Sequence, residues 1–466
     1  MPHPVLPDFS NPFKNFKNMS HREIMIATGL TSGDEPSKDD QEFNSALIFV
    51  GKNAWKLVDR VLLDFKNKRT DKYHKLYRNQ LSVILANLYE VNSIQEYLYT
   101  YYSRSNNDYK ESKRYNPNEL SVRPIRFLAD SLKKHGWVDI SWWFYDEYNV
   151  ENRWCSRMRS SKKLLQAFRD FKITPKCIYR KPIELIRLKD SKKNLEEYKD
   201  TPATNSMRDK LFAYNNLLLQ TRIKLKRNKK VNSYLELHPA NFKNIEYYRI
   251  FNDSSFERGG RFYGAWWVTL NKDIRRRITL NDEDTEELDY SSLGIHLLYS
   301  QENLNYYDLN DSDSDPYTLK GVDVNEREVN KKIITFALNM SPGNRHRKFV
   351  YTVRKKIKKT NDERSILGIK KLLNVPTPRE VHKRLRIFEE ENVPIKHYLF
   401  TEVGTRLQFK DSCIAESVIK RMVSMRIPIL VVHDSFIVQH GNKKLLRELM
   451  SHVFREHKLK SIPLIK

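Results

Sequence analysis

The sequence predicts an α+β fold, and three patterns support that class. Residues 45–102 form a helical pattern, because apolar side chains recur at spacings of three and four without an interrupting proline. Residues 287–299 (ELDYSSLGIHLLY) place an aspartate at the end of a strand-like run. Residues 429–439 (ILVVHDSFIVQ) contain two apolar strands that meet at a tight corner. We therefore expect a mainly helical N-terminal half and a C-terminal antiparallel sheet accompanied by helices.

Composition divides the chain into four stretches. Residues 1–45 are rich in Pro, Asn, Ser and Asp, so an extended lead-in is expected there. Residues 46–175 are expected to form a helical, winged-helix-like domain that binds nucleic acid. Residues 176–240 are expected to be a connector with one short strand and one helix. Residues 241–466 have the length of a single domain and contain the segments with chemical significance.

The winged-helix prediction comes from a helix followed by a hairpin. Ser121 is a candidate N-cap, and Gly136 stands where a glycine commonly ends a helix. Residues 137–146 and 153–161 have strand patterns and are joined by a turn. This order resembles a winged helix, in which the helix enters the major groove. The alternative is a small α+β packing module with an ordinary solvated basic face. The basic candidates for nucleic-acid contacts are Arg123, Arg126, Lys133, Lys134, Arg153, Arg157 and Arg159.

The charge balance indicates a polyanionic partner. The 466 residues include 84 Lys and Arg against 58 Asp and Glu, which gives a formal net charge of +26. The excess extends along the whole chain, and each cation placed on a phosphate releases condensed counterions. Two basic runs stand out, residues 222–230 and 354–359, although either run alone is also typical of a solvated face or a linker.

Other classes of protein are disfavoured by the same inspection. No stretch approaches 18 consecutive apolar residues, and the N-terminus has no apolar signal region, so no membrane partner is expected. The three cysteines have no zinc-like spacing and cannot all pair, which fits a reducing compartment. We therefore expect a cytoplasmic protein.

Two acidic segments far apart in the chain suggest one metal site. Asp289 ends the first strand-like run, and Asp434 follows His433 at the corner of the hairpin. If the fold brings both carboxylates together, they can hold two Mg²⁺ ions, the apparatus of in-line phosphoryl and nucleotidyl transfer.

Residues 245–466 resemble the superfamily that joins A-family DNA polymerases with single-subunit, phage-type RNA polymerases. The segment from Asp289 to Gly294 (DYSSLG) is similar to the Asp-Tyr-Ser-x-x-Glu segment of the DNA enzymes. The resemblance implies an antiparallel palm sheet with helical fingers at about residues 300–400. It also implies that Asp289, the Tyr290 carbonyl and Asp434 ligate two Mg²⁺ ions, for which Mn²⁺ can substitute. His433 would lie near the primer terminus.

Two positions point to the branch of the superfamily that makes RNA. Gly294 stands where DNA-making relatives have a glutamate that fills the space of a ribose 2′-hydroxyl, and Ser435 also replaces a glutamate. The resemblance therefore implies that ribonucleotides are accepted. The alternative is that Gly294 only eases the turn from strand to helix.

The helical pattern of residues 327–340 is similar to the fingers helix of the superfamily. Arg327 and Lys331 lie four residues apart and thus on one face. The resemblance implies that both bind the incoming triphosphate and that Lys331 protonates the leaving pyrophosphate. A salt-bridged surface helix is the alternative. Asn339 and Met340 depart from the Tyr-Gly pair of relatives, which puts accurate, processive copying in doubt and leaves Asn339 in the nucleotide pocket.

Further nucleic-acid contacts are implied by neighbouring segments. Arg261, in ERGGRFYGAWW, would read the minor groove of a primer–template, and Gln408 would lie near the primer end. Arg345 would touch the template or the triphosphate.

The resemblance implies a template-directed nucleotidyltransferase, a truncated, primase-like member without a recognisable proofreading domain. Its expected partners are a DNA template with primer and NTP or dNTP substrates. A phage or mobile-element setting, beside a helicase or a small accessory protein, would fit. Two alternatives stay open: a single-subunit DNA-directed RNA polymerase, and a catalytically inactive DNA-binding replication or regulatory factor.

Overall fold

The computed structural model describes most of the chain as two compact units, Met1–Ile183 and Glu184–Lys466. The ranges that it describes are 41–66, 71–94, 98–105, 109–141, 156–238, 240, 242, 244–341, 343, 347–366 and 372–466. Helices alternate with small, largely antiparallel sheets, so the α+β class is confirmed. The predicted lead-in lies almost wholly outside the described residues. Within those residues, no helix combines the length and apolar character that crossing a membrane requires.

The first unit combines helices with two small sheets. Its described helices are α1 (Lys52–Leu63), α2 (His74–Asn92), α3 (Val122–Lys134), α4 (Lys162–Asp170) and the 3₁₀ turn Pro175–Cys177. Its described strands are β1 (Gln41–Glu42), β2 (Leu47–Phe49), β3 (Thr100–Tyr101), β4 (Val138–Ser141), β5 (Arg157–Ser160) and β6 (Ile178–Arg180).

Helix α3 begins and ends where the sequence predicts. Ser121 is its N-cap residue, and Gly136 follows its end with φ +70°. Ile125, Leu128 and Leu132 are fully buried on one face, as their spacing requires. Strands β4 and β5 pair antiparallel, and β5 also pairs with β3 in a sheet of order β1-β3-β5-β4. The predicted turn of the hairpin lies outside the described residues.

The second unit contains the remaining elements. Its described helices are α5 (Pro202–Leu219), α6 (Lys229–Leu237), α7 (Lys272–Arg275), α8 (Leu293–Gln301), α9 (Arg327–Asn339), α10 (Arg347–Ile366), α11 (Pro378–Glu391), α12 (Gly404–Ser424) and α13 (Lys443–Glu456). Its described 3₁₀ turns are Trp266–Thr269, Tyr306–Asp308, Val324–Glu326, Val393–Tyr398 and His440–Asn442. Its described strands are β7 (Ile186–Lys189), β8 (Leu195–Glu196), β9 (Ile223–Leu225), β10 (Tyr248–Asn252), β11 (Ser255–Tyr263), β12 (Ile278–Leu280), β13 (Glu283–Asp289), β14 (Leu430–Val432) and β15 (Ser435–Gln439).

Local sequence signals account for several helix starts. Helix α5 begins at Pro202, and Thr201 and Thr204 form a reciprocal capping box. Helix α11 repeats the arrangement with Pro378, capped by Thr377 and Glu380. Proline suits the first helical position because the amide that it lacks has no intrahelical acceptor there. The capping side chains satisfy two of the other unpaired amides.

A five-stranded sheet, in which every pair of neighbours is antiparallel, lies at the centre of the second unit. Its strand order is β14-β15-β13-β12-β9. Strand β14 is fully buried, and Phe436, Ile437 and Val438 of β15 are buried as well, so both faces of these strands are covered. Helices α8, α12 and α13 supply buried aliphatic side chains to the same core. A covered sheet of this kind gives rigid support to side chains at its strand ends.

Most of the predicted connector, from Glu184 onward, belongs to the second unit, whereas residues 176–183 belong to the first. Strand β7 pairs with β10, and helix α5 packs into the core through buried tyrosine and leucine side chains. The Tyr214 hydroxyl donates to the Ile429 carbonyl at 2.7 Å, and Asn215 Nδ2 donates to the Tyr247 carbonyl at 2.9 Å. Helix α5 is thereby bonded to Ile429, next to strand β14, and to Tyr247, next to strand β10.

Helix α12 packs closely against strand β11, and Gly260 makes this approach possible. A Cβ atom at Gly260 would lie 2.7 Å from Phe251 Cε1 and 2.9 Å from Ser412 Oγ. The fully buried Arg249 ties the same elements together by donating to the Gly260 carbonyl, to Ser412 and to Glu416. Gly260 is therefore required by the packing of helix α12 on strand β11.

Replacing Gly260 with alanine is expected to destabilise the second unit by about 2–5 kcal/mol. Overpacking contributes about 1–3 kcal/mol, and a side chain at φ +74° adds about 1–2 kcal/mol. The measurement is the free energy of unfolding from denaturant titration. Gly321→Ala is the matched control, because φ is +68° there and no described heavy atom lies within 4 Å of the added carbon. Equal losses in both variants would contradict the packing role.

Candidate active site

The structure brings Asp289 and Asp434 together at one end of the central sheet. Strands β13 and β15 pair antiparallel with Asp289 opposite Ser435, the residue after Asp434. Directly opposite Cα atoms in such a pair lie about 4.5–5.5 Å apart. The Tyr290 amide also donates to the Asp434 carbonyl at 3.4 Å. The two remote segments therefore form one site, as the sequence required for a shared metal centre.

The Asp289 backbone is held from both sides. Strand β15 pairs with it on one side. On the other side lie residues 464–466, where Asp289 and Lys466 exchange two backbone hydrogen bonds of 3.0 Å. Tyr290 forms an antiparallel bridge with Ile465, and its buried hydroxyl donates to the Met450 carbonyl. This double support fixes where the Asp289 side chain leaves the sheet.

The corner between β14 and β15 places Asp434 in a strongly charged setting. His433 has φ +60°, a left-handed conformation that turns the chain between the strands. Burial raises the pKa of Asp434, and the neighbouring Asp289 charge raises that pKa further. The positive charges of Arg261 and Lys331 oppose this rise. The site thus concentrates negative charge and surrounds it with cations.

Helix α12 contributes a third acid, Asp411, which sequence reasoning missed. Its side chain is almost fully buried and accepts hydrogen bonds from Arg261, with Nε at 2.7 Å. Burial raises the pKa of Asp411 to about 7; Arg261 opposes the rise, and the Asp434 charge adds to it. The available signal was its position three residues after Gln408, on the same segment. Only the packing of α12 on β11 shows that this acid faces the site.

Lys272 is a second residue that sequence reasoning missed. It lies in the first turn of α7, and its Nζ is 3.0 Å from Asp289 Oδ1. Both side chains are partly exposed, so the ion pair contributes little to stability. It nevertheless supplies a positive charge at one of the predicted metal ligands.

The carboxylates fit the donor set that magnesium prefers. Mg²⁺ is commonly bound by one or two carboxylates and completes its octahedral shell with water and substrate phosphates. Asp289 and Asp434 provide two such groups, and their mutual repulsion is the kind that a divalent cation relieves. Among the described residues, no group of three or more His, Cys, Asp or Glu side chains is arranged to hold a metal ion.

His433 borders the acids as a neutral imidazole. Burial lowers its pKa to about 4, and the positive charges of Arg261 and Arg275 lower it further. Its Nδ1 atom is buried without a hydrogen-bond partner in the described part of the chain. Its ring centroid lies 5.9 Å from that of Tyr263.

Helix α9 carries the two predicted cations, Arg327 and Lys331. Lys331 is exposed, and its charge lowers the pKa of Asp434. Arg327 donates to Asp315 from Nε at 2.8 Å and from Nη2 at 2.6 Å. The buried ring of Tyr317 lies against both cations, 5.6 Å from Arg327 Cζ and 6.0 Å from Lys331 Nζ. The predicted pair thus shares one side of α9.

Gly294 and Asn339, two predicted nucleotide-binding positions, both lie next to helix α12. Among the described residues, a Cβ atom added at Gly294 would meet only Leu407 Cδ1, at 3.9 Å, so their packing does not require glycine in this first turn of α8. Asn339 packs its side chain against Gly404 at the start of α12. Its Nδ2 donates to the Thr335 carbonyl at 2.7 Å. Gln408 is half-buried on α12.

The predicted contacts of the first unit have mixed exposure. Arg123 is exposed and Arg126 is half-buried, whereas Arg157 is buried and stacks its guanidinium 4.4 Å from the Tyr99 ring centroid. A buried guanidinium does not reach a phosphate backbone, so Arg157 is a structural residue in this conformation. Its strand pattern predicted alternation but could not tell which face is covered. Arg345 and Arg153 lie outside the described residues.

The raised pKa of Asp411 predicts that the free energy of unfolding falls as pH rises, and that this fall is absent in the Asp411→Asn variant. An acid whose pKa is higher when folded stabilises the fold below its unfolded pKa of about 3.9, and that stabilisation is lost as pH rises toward 7. Relative to Asp411→Asn, the wild type should lose about 1–3 kcal/mol of unfolding free energy between pH 5 and pH 8. Denaturant titrations at both pH values measure this difference. A pH-independent difference would show that Asp411 titrates normally.

Comparison with models of known protein families gives no match for this chain, and comparison with the sequences of curated proteins gives none either. The functional conclusion therefore depends on the geometry of the site.

Proposed function

We propose that this protein is a template-directed nucleotidyltransferase that uses two Mg²⁺ ions. The observation that carries the proposal is the pairing of β13 with β15, which sets Asp289 beside Asp434. The cations of Arg261 and Lys331 near the same acids add support, because nucleotidyl transfer needs stabilisation of the negative charge on phosphates.

Each side chain has a defined role in this proposal. Asp289, the Tyr290 carbonyl and Asp434 would hold the ions, which supply charge neutralisation and activate the attacking 3′-hydroxyl. Lys331 binds the triphosphate and donates a proton to the leaving pyrophosphate. Arg327 exchanges its contact with Asp315 for a contact with the nucleotide phosphates. Arg261, held by Asp411, faces the primer–template beside Gln408 and His433.

The proposed arrangement of the second unit is a palm with fingers. The antiparallel sheet β14-β15-β13-β12-β9 serves as the palm, and α9 with its neighbouring helices serves as the fingers. In the first unit, α3 with β4 and β5 is proposed as a winged-helix module that binds DNA. The net charge of +26 supports a nucleic-acid partner. Short, primase-like products are the proposed output.

A second candidate is a nucleic-acid-binding factor without catalysis. The observation that favours it is that two key side chains already have ion-pair partners, Asp289 with Lys272 and Arg327 with Asp315. Such pairs satisfy the charges without metal or nucleotide. A synthesis assay separates the candidates.

The test is synthesis on single-stranded DNA with Mg²⁺ and labelled NTPs or dNTPs, with and without a primer. Product without a primer indicates a primase or an RNA polymerase, and primer extension alone indicates a DNA polymerase. Binding without product supports the inactive factor.

Asp289→Asn is expected to reduce synthesis at least about a thousandfold, because the metal contribution amounts to several kcal/mol. Binding of the DNA template should persist. Asp284→Asn is the matched control, since Asp284 is exposed on the same strand and pairs with Lys226 away from the site. Robust synthesis by Asp289→Asn, measured by incorporation of labelled nucleotide, would refute the catalytic assignment.

Gly294→Glu tests the proposed sugar selection. A Cβ atom at Gly294 makes only an ordinary van der Waals contact with Leu407 among the described residues, and a glutamate side chain extending from it is expected to exclude a ribose 2′-hydroxyl. The ratio of kcat/KM for dNTP to that for NTP should rise about tenfold or more, within the discrimination that one steric group provides. Gly294→Ala should change the ratio much less. An unchanged ratio in Gly294→Glu would show that the sugar of the nucleotide does not bind next to residue 294.

A further inference from the structure

Helix α10 carries a stripe of lysines around an exposed tyrosine. Its opposite face is anchored in the core by Phe349, Val350, Val353 and Ile357, all buried, so the orientation of the helix is fixed. The exposed side chains of the stripe are Lys348, Tyr351, Lys355, Lys358 and Lys359. At 3.6 residues per turn, these positions fall within about 100° of arc and extend about 16 Å along the axis.

The stripe has an unusually uniform charge. Residues 347–361 contain seven Lys and Arg and no acid, and the series ends at Asp362 and Glu363. No described acidic side chain forms an ion pair with the four lysines of the stripe, whereas Lys332 and Arg364 nearby share Glu328. A salt-bridged surface helix would distribute acids among its lysines, so the stripe has the form of a surface for an external anion.

Tyr351 distinguishes the stripe from a simple basic face. Its side chain is 65% exposed. Lys355 Nζ lies 5.8 Å from its ring centroid, and lysines flank the ring along the helix. A single exposed aromatic residue is common on surfaces. An aromatic ring within a basic groove or stripe is the combination that binds single strands, since lysines contact phosphates while the ring stacks on a base.

We propose that the exposed stripe of α10 binds single-stranded nucleic acid. A single strand is favoured over a duplex because a base must be unstacked to lie on the Tyr351 ring. This function goes beyond nucleotidyl transfer, because binding requires neither metal nor catalysis.

The experiment measures fluorescence anisotropy of a labelled 20-nucleotide oligothymidylate with the full chain, without metal or nucleotide. Tyr351→Ala should weaken binding about fivefold or more, and Tyr351→Trp should restore it, because the indole also stacks. The double variant Lys355→Glu with Lys358→Glu should weaken binding. It should also reduce the magnitude of the slope of log K against log salt by about 1.4, because each of the two lost phosphate contacts contributes about 0.7.

The matched control is Lys383→Glu with Lys444→Glu. Both lysines are exposed, on α11 and α13, and the change in net charge is the same. Loss of oligonucleotide binding in the stripe variants but not in the control variant supports the proposal. This holds whether oligothymidylate or an oligouridylate of equal length binds better, because the proposal covers single strands of either kind. Equal loss in the stripe and control variants, unchanged binding in Tyr351→Ala, or tighter binding of a 20-base-pair duplex would overturn it.

The proposal can fail separately from the catalytic one. Asp289→Asn should bind the oligonucleotide as the wild type does. A wild type that binds through the stripe but makes no product supports this inference while refuting nucleotidyl transfer. A wild type that makes product but binds the oligonucleotide equally well without Tyr351 supports nucleotidyl transfer and refutes binding through the stripe.

Discussion

The backbone pairing of β13 with β15 is the constraint on which the candidate site depends. Asp289 faces Ser435 in this ladder, so two acids from remote parts of the chain lie side by side. A shift of one residue would turn Asp289 to the other face of the sheet. The buried side chains of β14 and β15 and the bonds between Asp289 and Lys466 oppose such a shift. The fold therefore uses an apolar core to hold like charges together.

Placing acids together in a low-polarity setting has an energetic cost that the surrounding cations offset. Arg261 contacts Asp411 and lowers the pKa of Asp434, and Lys331 of helix α9 lowers the pKa of Asp434 as well. Lys272 pairs with Asp289. Perturbed carboxylates in a cluster are more common at functional sites than elsewhere, because a purely structural core avoids them. The proposed binding of divalent cations and phosphates depends on this arrangement of acids and cations.

Local patterns were sufficient to predict the elements of the site but not its full membership. The strand before Asp289, the hairpin at Asp434 and helix α9 all follow from short-range periodicity, and the structure has them where the sequence indicates. Asp411 and Lys272 could not be identified in this way, because their roles arise from the packing of α12 on β11 and from the position of α7. Arg327 was selected for its spacing from Lys331, and that spacing gave no sign of its ion pair with Asp315. Arg157 was expected at a surface and is buried, since alternation alone does not show which face of a strand is covered.

The most direct measurement is a crystal structure of the protein with Mn²⁺ and a non-hydrolysable nucleoside triphosphate, with anomalous scattering used to locate the metal. We predict two Mn²⁺ sites about 3.5–4 Å apart, both contacted by Asp289 and Asp434, with triphosphate oxygens completing their coordination. Manganese bound away from these two carboxylates, or Asp289 still paired with Lys272 and no metal on Asp434 at saturating manganese, would contradict a shared metal centre.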